Sequence, residues 1–155
     1  IGIPRYTPSP ATALAVLTTG VIYMLRGFQL KSTHLNVNTK FTNFNINCLT
    51  DVHFEWLWIR NPVVADVVTF LDEGDSACQT VEGTVLNVVT PGTGHIIAGG
   101  LAKGKTELNS ILESLKHTIT LGSDINGVPD KFYLCVRPFN DTVSFYYSTE
   151  RKELL

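Results

Sequence analysis

The sequence predicts an all-β fold, an antiparallel β-sandwich or jelly roll that carries one short helix. Three observations lead there. Val, Thr and Ile supply 43 of the 155 residues, and branching at Cβ stiffens χ1 in a way that suits a pleated surface. Apolar and polar residues alternate in short runs that recur at intervals of about ten residues, the spacing of a sandwich or barrel. The runs are separated by Asn, Asp, Gly and Pro clusters, which are turn chemistry. Charged residues make up only 17% of the chain and the formal net charge is −2. An apolar, near-neutral chain is neither disordered nor drawn in bulk to nucleic acid or anionic lipid.

The elements follow in order. Pro4, Pro8 and Pro10 fall close together with Thr7 and Ser9 between them. Proline fixes φ and extends its predecessor, so residues 1–13 are expected as a stiff linker, with a β domain over 14–155. The start at Ile1 in place of Met points to a piece of a longer polypeptide. Ala11 to Leu17 fits a helical turn or a first strand. Thr18, Thr19, Gly20 and Arg26 interrupt the apolar stretch from Ala11 to Leu25, which is too short to span a bilayer, so no membrane insertion is expected.

Val21 to Leu30 is predicted as a strand, with Gly27 as a bulge. Leu35, Val37, Thr39 and Phe41 alternate with polar residues, and then Phe44 and Ile46 continue in the opposite phase. A one-residue slip of this kind requires a bulge or a change of face. Val52, Phe54, Trp56 and Trp58 fill one face of the next strand, and His53, Glu55, Leu57 and Ile59 the other. Val63 to Phe70 is nearly all apolar, Cys78 to Val89 alternates loosely, and Phe132 to Val136 and Val143 to Tyr147 read as closing strands. About eight strands result. Leu108, Ile111, Leu112 and Leu115 follow the i, i+3, i+4, i+7 pattern, which predicts a helix over about residues 106–117.

Few motifs carry chemistry. Cys48, Cys78 and Cys135 form no CxxC pair and each lies in an apolar run, as small buried hydrophobes do. No G-x-S-x-G elbow occurs, and His34, His53, His95 and His117 show no zinc-protease spacing. The sharpest match is Gly99, Gly104, Lys105 and Thr106, which satisfy the phosphate-loop signature G-x-x-x-x-G-K-[ST] between a short strand and the predicted helix. Backbone amides would wrap the phosphates there, Lys105 would reach the β/γ-phosphates and Thr106 would hold magnesium. The alternative is a glycine-rich turn, because such an enzyme needs a parallel sheet with helical crossovers. Asp124, Asn126 and Asp130 share a loop that offers oxygens to calcium, though Asn126-Gly127 is equally a hairpin turn. Trp56, Trp58, Tyr146 and Tyr147 suit either core packing or a surface for glycans or subunits.

A proline-rich stretch, Pro4 to Pro10, leading into a Thr/Val/Asn-rich β domain from Val21 through Tyr147 resembles the protruding domain of small icosahedral RNA virus capsid proteins. The closest likeness is to nodavirus capsids, especially those of crustaceans. The resemblance implies a non-enzymatic capsid domain at the virion surface, joined to other capsid subunits through a hinge. It implies dimeric spikes, contact with a host-cell receptor or glycan, and in some members calcium. Near-neutral charge agrees, since the RNA-binding arm of a capsid protein is usually N-terminal and would lie outside this chain, leaving this part no nucleic-acid role. The expected partner-binding tips are the loops over 71–77, 90–94, 122–130 and 140–142, with Asp72, Glu73, Asp75, Thr93, Asn126 and Asn140 as candidate contacts. The rival functions are a nucleotide-binding domain using the phosphate loop and a carbohydrate-binding β-sandwich.

Overall fold

The computed structural model describes residues 2–16, 18–48, 51–103, 108–109 and 120–154, all in strands, turns and loops. The chain is all-β, with antiparallel strands in two sheets of six. The first sheet has the order β1 (Ile3–Thr7), β12 (Val143–Leu154), β4 (Asn38–Cys48) and β10 (Thr120–Leu121), with β2 (Leu14–Val16) also paired to β12 and β9 (Leu108–Asn109) to β4. The second runs β6 (Leu71–Asp72), β7 (Cys78–Glu82), β3 (Tyr23–Leu30), β11 (Phe132–Pro138), β5 (His53–Arg60) and β8 (His95–Lys103).

The alternation in the sequence decides which faces are buried. Phe54, Trp56 and Trp58 of β5 point into the main core, where they meet Phe41, Phe44 and Ile46 of β4 and Phe145 of β12. Trp58 is fully buried, with its ring 5.0 Å from Phe41, 5.9 Å from Phe44 and 6.2 Å from Phe28. Leu57 and Ile59 point the other way into a second core with Met24, Tyr133 and Cys135. That outer face is roofed by the apolar run after β5, from which Val64, Val68 and Phe70 pack down. The run 63–70 is therefore a cover for the second sheet, and it contributes only one isolated bridge, Val64 to Val89. The loop turns at Asn61, whose φ of 51° closes β5 while its side chain bonds Lys131 N and Asp130.

Three bulges interrupt the pairings of the described strands, one of them at Ile97 of β8, where Trp58 pairs with Ala98 and Ile59 with Ile96. Glu150 pairs with Asn43 and Arg151 with Phe41, leaving Thr42 as the extra residue, where the sequence places its phase slip. In β3 the bulge is at Leu25, because Leu134 pairs with Arg26 and Cys135 with Met24. The expectation of a bulge at Gly27 is thus corrected by two residues. Gly27 is a glycine for another reason, since a Cβ there would lie 2.5 Å from the Tyr133 ring and 2.9 Å from Val81. The bulge turns both Leu25 and Arg26 into the sandwich, where both are fully buried.

Two other expectations change. Leu108 and Asn109 form a strand against Ile46 and Asn45, so the helix predicted over 106–117 does not include them; its remaining residues lie outside the described ones. The proline-rich segment is extended as its composition demands, but Ile3 to Thr7 are hydrogen-bonded to β12 along Thr149–Glu153 and so form part of the first sheet. Proline is tolerated there because β1 is an edge strand.

Candidate functional site

At one end of the sandwich the in-facing period of β12 continues past Phe145, Tyr147 and Thr149 to Arg151 and Glu153, both about 1% exposed. These charges meet groups from two other segments, β1 and the loop over 73–77. Arg151 donates to Thr7 Oγ1 and to Ser76 Oγ, both at 2.8 Å, and lies 3.5 Å from Glu73 and 3.6 Å from Glu153. Glu153 accepts from Ser76 Oγ, from Ala77 N at 3.2 Å and from Arg5 Nε at 3.1 Å. Arg5 reaches on to Asp75 at 2.9 Å. Arg26 donates to the carbonyls of Thr7 and Pro8 and to Glu82, with its guanidinium 4.8 Å over the Tyr147 ring.

Burial pushes the Glu153 carboxyl up, but the Ser76 hydroxyl, the Ala77 N–H and the Arg151 and Arg5 charges outweigh it and hold the group below its ordinary value. The cluster ties β1, at the edge of the first sheet, to the loop between β6 and β7 of the second, and its charges are spent on one another. The sequence reading missed it. The signal was present, since Arg151 and Glu153 keep the period of two set by Phe145 and Tyr147, but a charged residue in phase with a core face is ordinarily read as the end of burial.

The acidic loop expected at a partner-binding tip is part of this clamp. Glu73 accepts from Thr7 Oγ1 at 2.9 Å, Asp75 holds Arg5, and Asp72 accepts from Gln79 Nε2. Thr93 likewise ties its own loop, donating to Thr90 O and accepting from Val63 N. Asn140 accepts from His53 N, fixing the start of β5. In the loop over 122–130 Ile125 is fully exposed and Gly127 has φ 77°. Asp124 Oδ1 accepts from Asn126 N and Val128 N, and Asp130 is engaged with Asn61. Of the three residues expected to ligate calcium, Asp124 thus serves its own loop and Asp130 serves Asn61. Among the described residues no group of three His, Cys, Asp or Glu side chains is placed to hold a metal ion.

Gly99, the first glycine of the phosphate-loop match, lies inside β8 opposite Leu57, and β8 runs on to Lys103. A phosphate loop must leave its strand at that glycine, so this part of the match is corrected; Gly104, Lys105 and Thr106 lie outside the described residues. Packing accounts for the glycine pair. A Cβ on Gly99 would touch Leu57 at 3.0 Å, and one on Gly100 would strike the Trp56 indole at 2.7 Å. The three cysteines are buried, and burial raises the Cys78 thiol to about 11 and Cys135 further still, away from nucleophilic range.

The sheet edges differ in how they are closed. β1 carries Pro4, and β6, β9 and β10 are two residues each. β8 is nine residues long, pairs only with β5 among the described strands, and exposes Ile96 by 56% and Leu101 by 75%. Comparison with protein-family models, with curated proteins and with solved structures gives no match to this chain.

Proposed function

We propose that this chain is the protruding domain of a small RNA virus capsid protein, a non-enzymatic module that dimerises into a spike at the virion surface and attaches to host cells. The observation that carries the reading is the outer edge of β8. A long, apolar edge that no other described strand covers is a template for another strand, and proteins that stay monomeric usually blunt it. A second copy fits it without further invention: antiparallel pairing across a two-fold axis sets the same surface against itself and extends two six-stranded sheets into one. The exposed Ile125 on the loop over 122–130 supports a further contact surface at the loop tips.

Leu101→Lys tests the assignment. The side chain is 75% exposed, so the fold should stand, while a lysine added to the edge strand penalises edge pairing. The expected result is a dimer weakened roughly tenfold or more, about 1–2 kcal/mol, measured by sedimentation. A dimer of unchanged affinity would place the interface elsewhere.

A further inference from the structure

The outer face of the first sheet carries a row of polar and aromatic side chains that neither core uses, with Glu150 at one end of it. After the bulge at Thr42, β4 directs Asn43, Asn45 and Asn47 away from the core. The register sets Asn45 beside Ser148 and Asn47 beside Tyr146 of β12. On the other side of β12, Tyr6 of β1 is paired across from Glu150. Tyr6, Asn45, Asn47, Tyr146 and Ser148 line a cleft of about 110 Å³, and Tyr6 also borders a second cleft of about 430 Å³ that reaches Thr42 and Lys152.

Two features of this face lack an internal explanation. Tyr6 leaves 57% of its surface in water although it lies in a paired strand. The side-chain carbonyl oxygen of Asn45, which lines the smaller cleft, is buried without a hydrogen-bond partner. A desolvated amide oxygen is costly and calls for a donor. A ligand that answers both must bring hydroxyl donors on its edge and an apolar C–H face for a tyrosine ring, and it must be neutral, because no charged side chain lines the smaller cleft. We infer that the cleft around Tyr6, Asn45 and Tyr146 binds a neutral hexose, as the terminal sugar of a glycan. The inference deepens the attachment half of the proposed function by naming its ligand, and it does not depend on the dimer.

Saturation-transfer NMR tests it with the methyl glycosides of galactose, glucose and mannose, with N-acetylglucosamine, and with N-acetylneuraminic acid as the charged comparison. Transfer to the ring protons of at least one neutral sugar is expected. Tyr6→Ala should weaken that binding by roughly tenfold, Tyr6→Phe should keep most of it, and Asn45→Ala should weaken it while circular dichroism stays that of the parent. Sedimentation of Tyr6→Ala should be unchanged, which separates loss of the sugar site from loss of the dimer. The inference is overturned if none of the neutral sugars is saturated, if only the acidic sugar is, or if Tyr6→Ala binds as the parent does.

Discussion

Replacing Arg151 with methionine is expected to lower the stability of the domain by about 3–5 kcal/mol, the cost of breaking a buried ion pair from one side. The guanidinium is fully buried and serves Thr7, Ser76, Glu73 and Glu153 together. Without it, Glu153 keeps only Arg5 as a cationic partner among the described residues, and the Thr7 hydroxyl of β1 keeps only its bond to Glu73. The effect should appear as a lower denaturant midpoint with an unchanged slope. Removing Glu153 as well, by Arg151→Met with Glu153→Leu, should recover part of the loss, because the variant no longer buries an unmatched charge. A single-variant loss below about 1 kcal/mol, the range of an exposed pair, would show that the cluster is not a clamp.

The same cluster sets the response to acid. The folded-state pKa of Glu153 is held below the ordinary 4.5, so its contribution is complete above that value and is lost as pH falls through the lower folded one. The acid side of the stability profile should flatten in Glu153→Gln. An acid limb as steep as the parent's would assign the dependence to other carboxylates.

The second large effect belongs to Trp58→Ala, expected to cost about 3–5 kcal/mol by lost transfer energy and the cavity left behind. Trp58 is packed among Phe28, Phe41 and Phe44, which come from both sheets, so the void cannot close by moving one strand. Trp58→Phe should cost much less. The indole N–H is buried without a hydrogen-bond partner, and phenylalanine removes that unsatisfied donor along with part of the volume. Thermal unfolding of the two variants separates these contributions; equal losses would show that the cavity does not set the cost.

Much of this architecture was legible because strand alternation is a short-range signal. Val52 to Ile59 divided its side chains between two cores as its period requires, and the slip between Phe41 and Phe44 marked a real bulge. The signals that misled were local patterns overridden by tertiary pairing. Leucine spacing from Leu108 suggested a helix, yet Leu108 and Asn109 are held as a strand by β4. Prolines suggested a detached linker, yet an edge position needs few of the donors they lack, and Arg5 and Thr7 fasten the segment to Glu153, Asp75 and Glu73. Those partners lie 66 to 148 residues away in sequence, so no motif could show them. At the candidate tips the same distance hides the partners of several residues. Acidic and amide residues in turns look available until the backbone donors and distant arginines that occupy them are in view. Tyr6 and the asparagines of β4 were passed over because each is unremarkable alone, and only the register of three strands brings them to one face.

Sedimentation equilibrium of the chain at high micromolar concentration tests the central claim most directly. The spike reading predicts a species of twice the 17.1 kDa chain mass that reverts toward monomer in Leu101→Lys. A monomer throughout the concentration range would contradict it.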